Sequence, residues 1–304
     1  MLTVSNYHYI RNHFDAKYPS IFGVTPNEFK RQLVLLKNQG EFINPVNLVS
    51  NINDVLKSKE NHLFITFDDG LKEQFDLALP ILDELNIPVV FFVNSLNFEE
   101  KKVSTVHKIH LLRSIITATK ILEEISKIEE VSLLDQEKMN AKGIYRYDDE
   151  KSAILKYILN FKLTFVQQEV IIKKLFDFYF EENKVLESLY MSENNLKELA
   201  KLGYLGSHTH SHLPIGLLSA DKIKFELENT RLFFEELTNA KLDLVSYPYG
   251  TPEICTDEVA NLAKNVGYKL GFTTNRKINT ATQNHLLLHR FDCNDLIGGK
   301  NFNK

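Results

Sequence analysis

The sequence predicts an α/β fold in which parallel strands alternate with helices, with a helical insertion at about residues 95–194. Short apolar runs rich in β-branched and aromatic residues indicate buried strands, and amphipathic stretches between them indicate helices. Alternating strands and helices build a parallel sheet or barrel. The 304 residues would also suit two domains, but α/β barrels of this size form one. We therefore predict a single domain over residues 1–304.

The elements before the insertion follow the order helix, strand, helix, strand. Thr25, Pro26 and Glu28 predict the start of a helix that ends near Gly40, because Thr can cap a helix, Pro suits its first position and Glu completes a capping box. A buried strand is predicted at residues 63–67, a helix at 71–85 and a second strand at 89–93.

The insertion is nearly free of glycine, and its apolar residues recur at helical spacing, for example at Ile121, Leu122 and Ile125 and again at Ile154 and Ile158. It could close one end of a substrate groove or serve as a packing or dimer element. After it, helices are predicted at 196–202, 220–237 and 256–266, and strands at 204–207, 244–247 and 268–273.

Composition excludes several functions. A net charge of −4 with scattered Lys and Arg gives no basic patch, so we predict no nucleic-acid partner. No apolar run approaches the ~18 residues that span a bilayer, and residues 1–10 show no secretion signal, so the expected location is the cytoplasm. Cys255 and Cys293 lack metal-binding spacing; free thiols are favoured, and a disulfide stays open. The sequence does not indicate an oligomeric state.

Three short motifs follow predicted strands, where α/β barrels place functional residues. The first is Asp68-Asp69-Gly70. Two adjacent carboxylates at the end of a buried strand repel each other, and a bound cation would relieve the repulsion. An Asp-Gly pair is also common in ordinary turns, so this motif alone leaves both interpretations open.

The second motif contains His208, His210 and His212. His208 and His212 are four residues apart and can lie on one side of a helical turn, a frequent spacing of metal ligands. His210 would point elsewhere. One carboxylate and two imidazoles would leave open positions on a metal, as catalytic sites do. The third motif, residues 246–250 with Tyr249 near its end, would be an ordinary turn without the other two.

In this order the motifs resemble those of the polysaccharide deacetylase family, carbohydrate esterase family 4, which has the NodB homology domain. The resemblance covers residues 60–95 and 195–290. Tyr7-His8-Tyr9 and residues 25–29 also look like the branch that deacetylates poly-N-acetylglucosamine. The resemblance to this family implies a distorted (β/α)7-type barrel to which the helical insertion has been added.

The resemblance also implies roles for individual residues. Asp69, His208 and His212 would bind a divalent metal, usually zinc in this family, although the ligand set also suits cobalt, nickel or iron. Asp68 would be the catalytic base. The backbone N–H of Tyr249 would stabilise the oxyanion together with the metal. The pattern Leu287-Leu288-His289 implies His289 as the acid that protonates the leaving amine, with His285 as the alternative.

Two departures from the family pattern affect these roles. The third motif of the family begins with an Arg that orients the base, and Ser246 stands at that position here. Arg290 directly follows His289, and we hypothesise that it supplies the missing guanidinium. The late Asp-Trp motif, which lines the sugar groove, is also absent, since the chain contains no Trp.

The function that the resemblance implies is removal of an acetyl group from an N-acetylated sugar or glycan precursor, in the synthesis of a cell-surface polysaccharide. Two alternatives remain. The chain could hydrolyse a non-sugar C–N bond, as in ring amides and ureides. It could instead be a degenerate domain that binds metal or glycan without turnover, as the lost Arg and Trp would suggest. The intact Asp68 argues against the second, because binding a metal requires only Asp69.

Overall fold

The computed structural model describes residues 1–145 and 148–302, and these divide into two compact units. The first unit comprises residues 1–13, 23–102 and 186–304, and it carries all the strands of the main sheet. The second comprises residues 14–22 and 103–185. The helical unit therefore has narrower bounds than the predicted insertion, while the prediction of a single domain stays a prediction.

The first unit is built on a parallel sheet in the order β10-β1-β5-β6-β7-β8-β9, with β4 also paired to β5. Its strands are β1 (Leu2–Tyr7), β4 (Glu41–Phe42), β5 (His62–Phe67), β6 (Val89–Val93), β7 (Leu205–Ser207), β8 (Leu244–Ser246), β9 (Leu270–Phe272) and β10 (Phe291–Asp292). A small separate pair joins β2 (Tyr9–Ile10) and β3 (Gly23–Val24). The curled parallel sheet is the predicted (β/α)7-type barrel architecture.

The chain segment 288–292 links the two edges of this sheet. Leu288 pairs with Phe272 of β9, and Phe291 pairs with Ser5 of β1. Because side chains alternate between the two faces of a strand, every second residue along each strand packs into the interior. That interior contains Leu2, Val4, Phe64, Val90, Phe92, Leu244, Leu270, Phe272 and Leu288.

Helices of the first unit pack around the sheet, and several agree with the sequence. They are α1 (Pro26–Lys37), α2 (Pro45–Lys57), α3 (Leu79–Leu85), α4 (Leu96–Glu99), α11 (Glu193–Leu202), α12 (Ala220–Thr238) and α13 (Asp257–Val266). Thr25 and Glu28 form the predicted capping box of α1. The helix predicted at 71–85 begins instead with a π-helical segment, Gln74–Ala78, ahead of α3. Pro80 lacks the N–H that a regular helix would need there.

The second unit is helical, as predicted for most of the insertion. It contains α5 (Thr105–Ile115), α6 (Ala118–Ser126), α7 (Asp135–Ile144), α8 (Glu150–Tyr157), a π-helical segment (Ile158–Lys162) and α9 (Phe165–Tyr179); α10 (Glu182–Leu189) follows across the unit boundary. Ile121 and Ile125 are buried on one side of α6, and Leu155 and Ile158 are likewise buried. The helical spacing therefore identified part of the buried face: Ile121, Ile125 and Ile158 are buried, whereas Leu122 and Ile154 are only partly buried and Ile128 is exposed.

Three further features complete the description. No helix within residues 1–145 and 148–302 is both long and apolar enough to cross a membrane. Cys255 and Cys293 are buried free thiols, and burial raises the pKa of Cys255 to about 12. No element was predicted over β1 or α2, although β1 pairs with both β10 and β5 in the main sheet.

Candidate active site

Polar side chains follow the apolar interior at the C-terminal ends of the strands. The residues that continue the inward-facing register are Asn6 after Val4, Thr66 and Asp68 after Phe64, Asn94 after Phe92, Ser246 after Leu244 and Arg290 after Leu288. All six are buried. The alternation of the strands therefore gathers a polar cluster at the end of the barrel where such folds place catalytic residues.

Arg290 forms a bidentate ion pair with Asp68. Its Nη1 lies 2.8 Å from Oδ1 of Asp68, and its Nη2 lies 2.7 Å from Oδ2. Asn6 also donates to Oδ2, at 3.2 Å. Burial alone would raise the pKa of Asp68, but the Arg290 guanidinium holds it well below its usual range. The carboxylate is thus charged and fixed, and Oδ1 accepts one bond whereas Oδ2 accepts two.

Ser246 makes room for this guanidinium and binds it. The Ser246 hydroxyl accepts a hydrogen bond of 2.8 Å from Nη2 of Arg290. Nη1 also donates to the Thr66 hydroxyl at 3.2 Å, and Nε donates to the Thr273 carbonyl at 3.0 Å. A guanidinium therefore lies beside the Asp68 carboxylate. It belongs to Arg290, on the segment before β10, instead of to a residue at the end of β8.

Asp69, His208 and His212 lie together beside this pair. Oδ1 of Asp69 is 3.5 Å from Nε2 of His208 and 3.2 Å from Nε2 of His212. One ligand atom from each residue lies within 4.8 Å of the other two, and all three side chains are at most 10% exposed. Three donors converging at this spacing in a buried place fit a divalent cation.

The prediction that His208 and His212 share a helical turn is wrong. Residues 208–212 form an irregular loop, in which Thr209 (φ 62°) and His212 (φ 58°) are left-handed. Asp69 is also left-handed (φ 81°), which turns its side chain away from Asp68. Gly70 follows at φ 62°, where an added Cβ would collide with Val93. These backbone reversals bring the three side chains together.

The electrostatics of the two imidazoles also suit a metal site. Nδ1 of His208 lies 2.8 Å from the Ser246 carbonyl, so Nδ1 carries the proton and the lone pair of Nε2 faces Asp69. Burial lowers the pKa of His208 to about 4, which keeps the ring neutral as a ligand must be. Burial would also lower the pKa of His212, but the hydrogen bond and charge of Asp69 raise it.

Tyr249 lies on the loop after β8, near this group. Its ring centroid is 5.5 Å from that of His212, in an edge-to-face arrangement. Tyr249 and Gly250 are both left-handed, and the Tyr249 carbonyl accepts a hydrogen bond of 2.9 Å from the Thr274 hydroxyl. The ring of Tyr249 therefore lies beside His212, and the role of its backbone N–H as an oxyanion donor stays a prediction.

His289 and His285 are not brought to this cluster. Leu288 and Arg290 point into the barrel, so the side chain of His289 between them points to the opposite face. Burial and the charge of Lys277 lower the pKa of His289. The His285 carbonyl accepts a hydrogen bond from the N–H of Gly271, in the middle of β9. The polar cluster instead lies beyond the C-terminal ends of the strands. This placement does not support the predicted acid role of either.

His8 is the functional candidate that the sequence analysis did not assign. It follows β1 in the same inward register as Asn6, and its Nε2 lies 4.0 Å from Oδ2 of Asp68. The side chain of His8 is 40% exposed, so it lies between the buried Asp68 carboxylate and the solvent. In the sequence, Tyr7-His8-Tyr9 is part of the family resemblance, but that resemblance implies no role for His8.

This chain belongs to the polysaccharide deacetylase family. The family model for polysaccharide deacetylase matches residues 56–130 and 162–271, which together exceed half of the chain. It is therefore a hydrolase of the class that cleaves carbon–nitrogen bonds other than peptide bonds. Among curated proteins, the polysaccharide deacetylase-like protein YxkH of Bacillus subtilis (strain 168) is 26% identical over 114 residues, which is 37% of this chain and 40% of YxkH.

Solved structures of deacetylases share the fold. The deacetylase PplD of Streptococcus pyogenes, solved with acetate, superposes with a TM-score of 0.59 at 17% identity, covering 96% of this chain and 91% of PplD. IcaB of Ammonifex degensii superposes with a TM-score of 0.55 at 18% identity, over 96% and 91% of the two chains. These similarities confirm the predicted barrel architecture.

Replacing Arg290 should destabilise the protein strongly. Arg290→Met leaves the Asp68 carboxylate buried without its partner, and breaking a buried pair in this way costs about 3–5 kcal/mol of unfolding free energy. Chemical denaturation measures the change. Arg276→Met is the matched control, because the Arg276 pair with Asp295 involves a side chain that is 65% exposed. A loss at position 290 no larger than at position 276 would contradict the importance of the buried pair.

Proposed function

We propose that this protein is a metal-dependent N-deacetylase that hydrolyses the acetamide of an N-acetylated sugar or glycan precursor. The observation that carries the proposal is the pairing of two differently held carboxylates. Asp68 is fixed by Arg290, and Asp69 faces His208 and His212. One carboxylate is thereby available as a base while the other belongs to a cation site, which is the division that metal-assisted amide hydrolysis needs.

Asp69, His208 and His212 would hold the metal, with zinc as the first candidate for this donor set. Such a metal lowers the pKa of a bound water and polarises a carbonyl when it is present. The charge of Asp69 favours binding of a cation, and the Ser246 carbonyl keeps the His208 ring oriented with Nε2 toward the site. These contacts prepare the three side chains before a cation arrives.

Asp68 acts as the general base in this proposal. Its Oδ1 accepts only one hydrogen bond, from Arg290, so this oxygen has a lone pair left to take a proton from the attacking water. Arg290 and Asn6 hold the carboxylate in one orientation. The same contacts weaken it as a base, since they stabilise its charged form. Orientation is therefore gained at the expense of basicity.

His8 replaces His289 as the proposed general acid. A group that protonates the leaving amine must reach the site and exchange protons with solvent. His8 satisfies both conditions, because its ring lies 4.0 Å from Asp68 and is partly exposed. The backbone N–H of Tyr249 is retained as the proposed oxyanion donor, since its loop lies beside His212.

Two alternatives from the sequence can now be weighed. The missing Arg was one of the two observations that favoured a degenerate domain without turnover, and the guanidinium of Arg290 beside Asp68 removes that support. Hydrolysis of a ring amide or ureide would open the ring without releasing acetate, so its product distinguishes it from N-deacetylation. The predicted cytoplasmic location, and with it a role in making a cell-surface polysaccharide, stays a prediction.

The direct test is an acetate-release assay. Purified protein is incubated with a panel of N-acetylated sugars, oligosaccharides and sugar precursors, and with a cyclic ureide. We expect acetate from at least one N-acetylated compound, loss of that activity with a chelator, and its return when Zn²⁺ or Co²⁺ is added. Ring opening without acetate release would support the second hydrolase, and release of acetate that is insensitive to chelator would contradict the metal.

Two substitutions separate the roles of the adjacent carboxylates and the metal ligands. Asp68→Asn should keep stoichiometric metal while kcat falls by roughly 10²–10⁴, because the base is lost and the ligands remain. His212→Ala should lose metal and activity together. Metal analysis and turnover are measured on the same samples, and the retained metal shows that Asp68→Asn is folded. Stoichiometric metal in His212→Ala would show that the ligand set is wrong.

His8→Ala and His289→Ala test the acid. We expect His8→Ala to lower kcat by roughly 10²–10⁴ with an ordinary acetamide and His289→Ala to stay near wild type. The defect of His8→Ala should shrink with 4-nitroacetanilide, whose leaving amine needs less protonation. A merely structural role would give equal losses with both substrates. A large defect confined to His289→Ala would restore the original assignment.

A further inference from the structure

The loop of residues 208–212 that carries His208 and His212 is a strained segment held from two sides. Thr209 and His212 adopt left-handed backbone conformations that L-residues other than Gly, Asn and Asp rarely take. Such conformations persist only when the surroundings determine them. The contacts that hold this loop therefore decide whether His212 faces Asp69.

The first set of contacts comes from the end of β6 and the start of α4. The Asn94 amide donates to the carbonyls of His208 and Thr209, the latter at 3.2 Å. Leu96 donates its N–H to the His210 carbonyl at 3.1 Å. The ring of His210 is held at Nδ1 by the Ser95 hydroxyl, 2.8 Å away, and at Nε2 by Glu100, 3.0 Å away. Both ring nitrogens of His210 are thereby engaged.

The second set comes from Glu226 in the middle of α12. Its Oε2 accepts the N–H of Ser211 at 2.8 Å, and its Oε1 accepts the Ser211 hydroxyl. Its backbone carbonyl accepts the N–H of His210 at 3.0 Å. Glu226 is only 4% exposed, and no ion pair between described residues joins it to Lys, Arg or His.

A buried carboxylate without a cationic partner carries a desolvation cost that hydrogen bonds must offset. Ser211 presents two donors at once, and a carboxylate offers two acceptor oxygens to receive them. Glutamine offers only one acceptor oxygen, so the charged side chain suits this position better than its neutral counterpart. Ser211 directly precedes His212, which places the anchor at the residue where the loop turns back toward Asp69.

We propose that Glu226 is a positioning residue for the metal site and acts through Ser211 to hold His212 in its ligand conformation. This inference rests on the proposed metal site formed by Asp69, His208 and His212. Partners that orient metal ligands typically change metal affinity by about 10–100-fold when they are replaced. A residue that served only the packing of α12 would change stability and leave the affinity and coordination of the metal as they were.

The test measures Co²⁺ binding to metal-free protein by titration and by the visible spectrum of the bound ion. Glu226→Gln should weaken Co²⁺ binding by about 10–100-fold and alter the spectrum. Glu228→Gln is the matched control on the same helix, because Glu228 is 46% exposed and only 3.8 Å from Lys224. It should bind Co²⁺ as the wild type does.

Ser211→Ala completes a double-mutant cycle with Glu226→Gln. If Glu226 acts through Ser211, the double variant should lose no more affinity than Glu226→Gln alone. Ser211→Ala also tests the anchor should Glu226→Gln fail to fold. Wild-type affinity in either single variant, or losses that add, would overturn the inference. A wild-type protein that binds no Co²⁺ would instead refute the metal site itself, and the positioning role with it.

Discussion

The buried ion pair between Asp68 and Arg290 is the interaction on which the arrangement of the site depends. Its two residues lie 222 positions apart, directly after β5 and on the segment that links both edges of the sheet. A charge at either position would be costly in this interior without the other. Closure of the sheet and stabilisation of the Asp68 carboxylate are therefore coupled, because the pair forms only when the segment 288–292 lies between β9 and β1.

The same alternation of side chains that builds the core also builds the site. Along each strand the inward positions are apolar at first and become polar at the C-terminal end, as in Phe64, Thr66 and Asp68 or Leu288 and Arg290. The apolar layers exclude water beneath the polar layer, so hydrogen bonds to the charged groups there are stronger than they would be in solvent. One period-two pattern thus provides stability and places the polar groups of the candidate site.

The sequence predicted what depends on local pattern and missed what depends on distant contacts. The apolar runs of β5 and β6 and the capping box of α1 were predicted correctly. β1 was missed because Ser5 and Asn6 dilute its apolar pattern, and its burial comes from pairing on both sides. The prediction of a helical turn for the loop of His208 and His212 is wrong because its backbone is fixed by contacts outside the loop, from Asn94, 115 positions from Thr209, and from Glu226, 15 positions from Ser211.

The adjacent carboxylates can coexist because each faces different side chains. Asp68 continues the inward register of β5 and reaches Arg290, whereas the left-handed backbone of Asp69 turns its carboxylate to the histidines. Arg290 is a permanent charge, so Asp68 is stabilised whether or not a metal is bound. Asp69 faces the imidazoles of His208 and His212. In the proposed function, the repulsion between the two carboxylates would therefore increase the affinity of the Asp69 site for a cation, while Asp68 beside it stays ionised.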